Sequence, residues 1–141
     1  MSHLMIAFDG ADLDQLSGFG AAYGGGYDVL LLSGDLKPVG ASRAIAAALP
    51  SIPPADGLAS SLVEFVRAYE TISFVSSMRA KDLAGRLAGL LSAAMVTDLI
   101  GVVSPDTFQR PVVAGSMIAT VQVKSTPRIL IFRASAFPAT E

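Results

Sequence analysis

The chain has 141 residues, of which 52% are hydrophobic and 16% are charged, and its formal net charge is −2. This length suits one domain, residues 1–141, and the apolar content excludes disorder as the default. The charge favours neither nucleic acid nor an anionic membrane as a partner, and the lack of cysteine excludes disulfides, thiolate nucleophiles and cysteine-bound metals.

In the first half, short apolar runs alternate with helical patterns. Leu4–Phe8 predicts a strand, and residues 1–4, which precede a second methionine at Met5, are interpreted as a cloning remnant. Three helices are predicted: Ala11–Tyr23, which Gly18 and Gly20 weaken, Ser42–Leu49, which Pro50 stops, and Leu58–Tyr69. A strand is predicted over Asp28–Ser33. The segments between them are a plain turn at Gly24–Gly26, a loop over Gly34–Gly40 and a connection over Ser51–Gly57.

The stretch from Thr71 to Asp98 organises the rest of the chain. Thr71–Val75 predicts a buried strand, and the hydroxyl of Ser76 or Ser77 could cap the following helix. Asp82 is expected in the first turn of that helix, where the macrodipole favours negative charge. The predicted apolar face of the helix comprises Leu83, Leu87, Leu90, Leu91, Ala94 and Met95, and the opposite face carries Gly85, Gly89 and Ser92. These glycines indicate either close packing or tolerated surface positions.

The last third predicts strands only. They run over Leu99–Val103, Phe108–Ala114, Met117–Val123 and Arg128–Arg133. A turn at Ser125–Pro127 predicts that the last two strands form a hairpin. The predicted fold is a three-layer α/β/α sandwich with a mostly parallel sheet and antiparallel strands at the C-terminal end.

Few side chains in the sequence could take part in catalysis or bind a metal. The sole histidine is His3, close to the start of the chain, and no nucleophile elbow, Walker motif or dinucleotide fingerprint is present. Asp9, Asp12 and Asp14 are interpreted as a solvated acidic loop, since they lack the pattern of a calcium site. We therefore expect no catalytic residue and no metal site, and hence no enzyme activity.

One junction could hold a ligand. Ser76, Ser77, Arg79 and Lys81 follow a strand and open a helix, where the carboxyl edge of an α/β sheet often binds phosphate. The alternative is a capped helix with solvated basic side chains, since the glycines that admit a phosphate to the backbone are missing.

A series of linked motifs resembles one family. The motifs are Lys81-Asp82-Leu83, Val96-Thr97-Asp98, Phe108-Gln109-Arg110-Pro111 leading to Ala114-Gly115, Ala119-Thr120-Val121, and Arg133 followed by Ala136-Phe137. In this order they resemble the N-terminal domain of the alpha subunit of electron transfer flavoproteins. The chain departs from the family pattern at Ala80, Gly85, Ser116 and Ala134, where glycine, proline, asparagine and proline are usual.

The resemblance implies a sandwich of the adenine nucleotide alpha hydrolase-like kind and a platform that pairs with the beta subunit or with a second copy of itself. It also implies FAD, but the family's FAD-binding C-terminal domain would begin just after Phe137, so this chain alone is expected to hold no flavin. Phe108, Arg110, Pro111 and Gly115 are the expected partner-facing or structural residues.

Two functions stay open at this point. The first is a platform domain that supports flavin-mediated electron transfer through subunit contacts. The alternative is a small adenine-nucleotide-binding protein that uses the Ser76–Lys81 junction for phosphate. No apolar run is long enough to span a bilayer and no signal peptide is evident, so a cytoplasmic location is expected.

Overall fold

The computed structural model describes residues 2–36, 40–112 and 115–138. Its centre is a six-stranded sheet whose order is β3-β2-β1-β4-β9-β5 and whose recorded pairings are all parallel. These strands are β1 (His3–Ala7), β2 (Asp28–Leu31), β3 (Arg43–Ala46), β4 (Thr71–Val75), β5 (Ala94–Leu99) and β9 (Arg128–Phe132). A separate antiparallel sheet, the small sheet, consists of β6 (Gly101–Ser104), β7 (Thr107–Val112) and β8 (Met117–Gln122).

The two faces of the parallel sheet are covered differently. On one face, α3 (Ala55–Val66) and α4 (Met78–Leu91) pack over apolar side chains such as Ile72 and Phe74. The other face carries α1 (Gly10–Leu13), α2 (Ser17–Tyr23) and the small sheet, packed over side chains such as Leu130 and Phe132. The predicted α/β sandwich with a mostly parallel sheet is confirmed, with the small sheet forming part of the third layer.

The predicted hairpin between the last two strands is wrong. β9 lies inside the parallel sheet between β4 and β5, whereas β8 pairs with β7. All five residues of β9 are buried. Its unbroken run of apolar side chains is typical of a central parallel strand covered on both faces, and this pattern outweighs the short connection from β8.

The predicted helix over Ser42–Leu49 is also wrong, because this segment contains the edge strand β3. Ala44 and Ile45 pair with Val29 and Leu30 of β2, so the backbone hydrogen bonds go to a neighbouring strand. An eight-residue helix has little stability of its own, and tertiary pairing overrides the helix propensity of alanine here.

Helix α4 is shorter than its apolar pattern predicts. Ser77 is confirmed as the N-cap, since its Oγ accepts from the backbone N–H of Ala80 at 3.0 Å. The helix ends at Leu91, where Ser92 takes a left-handed conformation (φ 53°). Ala94 and Met95 therefore belong to β5, and Leu90 is exposed instead of lying on the buried face. Asp82 lies beyond the first turn, where its carboxylate accepts from Arg86 Nε at 3.1 Å.

Several other boundaries move by a few residues. The long helix predicted before β4 is observed as α3, three residues earlier at each end, and the helix over Ala11–Tyr23 is split into α1 and α2. His3 and Leu4, within the segment interpreted as a cloning remnant, are buried members of β1. Parts of the predicted Gly34–Gly40 loop and of the Phe108–Ala114 strand lie outside the described residues.

In the part that is described, no helix is long and apolar enough to cross a membrane.

Candidate functional site

The carboxyl ends of β1 and β4 meet where the strand order reverses, which is the position at which open α/β sheets usually bind ligands. Asp9 follows β1 and caps α1, and Arg79 lies in the first turn of α4. The Arg79 guanidinium donates to Asp9 Oδ2 and lies 4.7 Å from the centre of the Phe8 ring. The hydrogen bond from Arg79 holds the pKa of Asp9 below its ordinary value. This crevice therefore carries an ion pair made by the chain itself.

Asp12 completes the contacts around this pair. Its Oδ2 accepts from the Phe8 amide at 3.0 Å, and its own amide donates to Asp9 Oδ1 at 3.1 Å. Burial raises the pKa of Asp12. Within residues 2–36, 40–112 and 115–138, no group of three histidine, cysteine or acidic residues is placed to hold a metal ion.

The four residues expected to hold phosphate each contact a different group of the protein. Ser77 caps α4, Arg79 pairs with Asp9, and Lys81 Nζ lies 3.6 Å from Asp98 Oδ1. The Ser76 amide donates to the Phe132 carbonyl at 2.8 Å. A phosphate-binding role for these residues stays a prediction. A thermal shift at saturating AMP measures it, and an unchanged melting temperature would remove it.

A second cluster forms where distant sequence motifs converge. We call it the Asp98 cluster, and it consists of Lys81, Asp98, Arg110 and Arg133. In addition to the pair with Lys81, Arg133 Nε lies 3.5 Å from Asp98 Oδ1, and Arg110 Nη2 lies 3.9 Å from Asp98 Oδ2. Three cationic side chains around one carboxylate leave an excess of two positive charges on a partly exposed surface.

A bulge in β5 presents Asp98 to these cations. Val96 pairs with Leu130, and Leu99 pairs with Phe132. An advance of three residues along β5 therefore corresponds to an advance of two residues along β9, which leaves one extra residue in β5. Asp98 takes a left-handed backbone conformation (φ 57°), which is uncommon outside glycine and occurs mainly in asparagine and aspartate. Bulges of this kind redirect side chains.

Arg110 joins the small sheet to the parallel sheet. Its Nε donates to the Thr97 carbonyl at 2.9 Å, and its Nη2 donates to Thr97 Oγ1 at 3.3 Å. Phe108 lies two residues earlier on the same face of β7 and is fully buried, with its ring stacked on Tyr23. Arg110 and Phe108 thus attach the small sheet from its inner side.

Replacing Arg110 by glutamine is expected to destabilise the fold by about 1–2 kcal/mol, because the bonds to Thr97 are lost. Urea unfolding measures the change. Arg86→Gln is the matched control, since Arg86 is an exposed helical residue whose pair with Asp82 is worth only about 0.3–0.5 kcal/mol. Equal effects of the two substitutions would show that Arg110 does not hold the sheets together.

Pro111 and Gly115 have local roles at the outer end of the small sheet. Pro111 pairs with Ile118 across β7 and β8. Gly115 lies in the turn between these strands at φ +84°, where a side chain would be strained, and its amide donates to the Val112 carbonyl at 3.2 Å. Whether either residue contacts a partner stays a prediction.

The outer face of the small sheet carries apolar side chains in water. Val103 on β6 is 61% exposed, and Ile118 on β8 is 62% exposed. Met117 is 59% exposed at the end of the sheet, but it is in register with Val112 and shares the face of Arg110. Because the inner face is attached through Phe108 and Arg110, these outward side chains have no cover within the described fold. The sequence contains the alternating pattern of β8, but only the pairing of the strands reveals which face is exposed.

Comparisons with known proteins agree with the motif pattern. A family model described as the electron transfer flavoprotein domain matches residues 19–141. The chain is 36% identical over 85 residues to an electron transfer flavoprotein subunit alpha of Bradyrhizobium diazoefficiens, covering 60% of this chain and 27% of that protein. It is 42% identical over 87 residues to a probable mitochondrial subunit alpha of Schizosaccharomyces pombe, covering 60% and 25%. The match thus spans about a quarter of the length of these relatives.

Proposed function

Because this chain belongs to the electron transfer flavoprotein family, we propose that it is an alpha-subunit-type platform that supports flavin-mediated electron transfer by binding another protein. In this role the chain has no catalytic step of its own. Its polar groups at the carboxyl edge already serve the fold, since Asp9 is paired with Arg79 and Ser77 caps a helix.

The observation that carries this proposal is the outer face of the small sheet. Large apolar side chains on a sheet surface favour burial against a partner, and Val103 and Ile118 on this face are both more than half exposed. The Asp98 cluster, which includes Arg110 of β7, adds arginines close to the small sheet, and arginine is enriched at protein interfaces.

We propose a beta-type subunit of the same family as the partner. The relatives are named subunit alpha, which implies an assembly with a different subunit. A second copy of this chain is the alternative partner, since symmetric dimers are the commonest assemblies. A cytoplasmic location is part of the same proposal, and the word mitochondrial belongs to the name of the fission yeast protein.

The residues described here do not fit the pyrophosphate of FAD. Such a group needs open backbone amides or free cationic side chains at the carboxyl edge of the sheet. Arg79 and Lys81 are paired with carboxylates, and Ser77 is used as a cap. We therefore propose that flavin is held by another part of the assembly. Visible absorbance of flavin that stays with the purified chain would contradict this.

Light scattering on the purified chain, alone and mixed with a beta-type subunit of the same family, tests the proposal. We expect the mixture to contain a complex with one copy of each chain. A mass equal to two copies of this chain, with or without the beta-type subunit, would support self-pairing. Separate monomers at micromolar concentrations of both proteins would contradict the platform role.

A further inference from the structure

The small sheet ends in a strand whose outer edge is open. In the sheet order β6-β7-β8, β8 pairs with β7, and no described strand pairs with its other side. β8 spans the six residues Met117–Gln122 and contains no charged residue, no proline and no glycine. A regular edge of this composition is a template for another strand, and natural proteins usually protect such edges.

The other strand edges of the fold carry this kind of protection. β3 has four residues and begins with Arg43. β5 contains the bulge that presents Asp98, and β6 has four residues with a shift of register after Val102. β8 instead pairs with β7 over all six of its residues without a shift. Among the described strands, β8 therefore has the one long, regular and uncharged edge.

The pairing with β7 shows which backbone groups of β8 face the open edge. The Val123 N–H donates to the Asp106 carbonyl at 2.7 Å, and these two residues continue the register of β7 and β8, so they form a hydrogen-bonded pair. Hydrogen-bonded and non-hydrogen-bonded pairs alternate along an antiparallel ladder. Ile118, Thr120 and Gln122 therefore form non-hydrogen-bonded pairs with β7, and their N–H and C=O groups point to the open edge.

Pro111 agrees with this assignment. It lies opposite Ile118, at a position where β7 needs no N–H toward β8, and proline has none to offer. The open edge thus presents a donor and an acceptor at every second residue. Groups in this arrangement bind an extended strand, because only a strand repeats its own donors and acceptors at the same spacing.

From this pattern we propose that β8 pairs with β8 of a second copy of this chain, as antiparallel strands related by a two-fold axis. Residues directly opposite each other must lie on the same face and must both direct their backbone groups to the edge, which restricts the register. Placing Thr120 opposite Thr120 of the partner subunit meets both conditions. Ile118 of each copy then lies opposite Gln122 of the other, so all the edge groups of β8 are paired.

A second copy suits this edge for two reasons. No like charges are opposed, because β8 has none and Lys124 would lie opposite Ser116 of the partner subunit. Paired threonines at the axis are a favourable cross-strand combination. The arrangement also closes, because each copy has one such edge and two copies leave neither edge open. Association therefore stops at a dimer.

We expect this dimer to be weak. One short strand pair buries far less than the roughly 1,200–2,000 Å² of a stable interface, so a dissociation constant on the order of 100 μM is expected. The pairing uses backbone groups at the edge, whereas the platform role uses the side chains of Val103 and Ile118 on the outer face. At low micromolar concentration the chain is then monomeric and free to bind a beta-type subunit. The pairing does not depend on the platform role, and its failure would leave that role intact.

Exchange of backbone amide protons tests the pairing residue by residue. Nuclear magnetic resonance of the ¹⁵N-labelled chain measures the exchange rates, and sedimentation measures the mass. Between about 50 μM and about 1 mM, we expect exchange at Ile118, Thr120 and Gln122 to slow about threefold as the mass rises toward two copies. Ala119 and Val121 bond to β7, so we expect their protection to be independent of concentration.

Two lysine substitutions separate the edge from the face beside it. Thr120→Lys would oppose two like charges at the two-fold axis and is expected to weaken pairing at least about tenfold. Gln109→Lys is the matched control, because Gln109 is exposed and lies opposite Thr120 on the central strand β7. In the dimer its two lysines would be about three strand spacings apart, beyond the Debye length, so a change below about twofold is expected. Circular dichroism confirms that each variant is folded.

Four results would overturn the proposal. The first is a chain that stays monomeric up to about 1 mM. The second is a dimer in which the amides of Ile118, Thr120 and Gln122 exchange as fast as in the monomer. The third is an equal effect of Thr120→Lys and Gln109→Lys on dimerisation. The fourth is a mass that keeps growing beyond two copies, which would show an open stack of strands.

Discussion

Gly18→Ala is expected to destabilise the fold by roughly 3 kcal/mol, whereas Gly85→Ala is expected to stabilise it by up to about 1 kcal/mol. Gly18 is the second residue of α2 and Gly85 lies in the middle of α4, so alanine favours the helix at both positions, and more strongly at Gly85. At Gly18 a Cβ atom would collide with the backbone carbonyl oxygens of Phe137 and Pro138. At Gly85 nothing lies within 4 Å of the added carbon. Packing therefore decides the sign of each effect.

The cost at Gly18 is large because backbone atoms cannot rotate away as a flexible side chain can. Relief requires moving the segment that contains Phe137, whose ring packs edge-on against Phe19 and Phe132 at 5.1 Å and 5.9 Å. Urea unfolding followed by circular dichroism measures both variants. If Gly18→Ala stays within about 0.5 kcal/mol of the parent protein, close packing of α2 on this segment is wrong.

The pH dependence of stability is the second large effect. Burial lowers the pKa of His3 from 6.5 to about 4 in the folded state. Between these values the unfolded chain binds a proton that the folded chain does not, so stability falls as the pH falls from 6.5 to about 4. The size of this loss is about 3 kcal/mol, and it is absent above pH 6.5, where both states are neutral.

The contribution of His3 to the pH dependence of stability is obtained by comparing the parent protein with a variant that lacks the imidazole. Asp9 and Asp12 also titrate at acidic pH, with pKa shifts in opposite directions. The free energy of unfolding is therefore compared between the parent protein and His3→Gln, from pH 7 to pH 4. We expect the variant to lose less stability than the parent over this range. Parallel curves, or an imidazole resonance that titrates near 6.5, would show that His3 is not buried as described.

The elements predicted correctly have strong local signals. Thr71–Val75 is a β-branched run followed directly by a serine cap, and both features are observed with the predicted residues. Leu83 and Leu87 recur at helical spacing and are buried in α4. Such patterns depend on neighbours within a few residues, so the sequence alone contains them.

The errors come from contacts between distant parts of the chain. β3 is a strand because β2 offers it an edge, and β9 leaves its neighbour β8 to lie between β4 and β5. Gly18 and Gly20 predict a weak helix, but a Cβ atom on Gly18 would collide with Phe137 and one on Gly20 with Tyr27. Only the folded chain shows which elements meet.

The candidate site was partly visible in the sequence. Arg110 stands within a recognisable motif, but its bonds to Thr97 depend on a bulge in β5 that has no local signal. Lys81 is predicted beside a phosphate, which stays a prediction, and its pair with Asp98 depends on a residue that is distant in sequence. The position of His3 close to the start of the chain gives no sign of burial, yet His3 lies in a central strand of the sheet.

The affinity of this chain for a beta-type subunit, compared between two matched variants, tests the platform role most directly. Ile118→Asp places a charge on the outer face of the small sheet, and Leu90→Asp places one at an equally apolar, 51% exposed position on α4. We expect Ile118→Asp to weaken binding at least about a hundredfold and Leu90→Asp to leave it unchanged. Unchanged binding by Ile118→Asp, or an equal loss in both variants, would contradict docking through the small sheet.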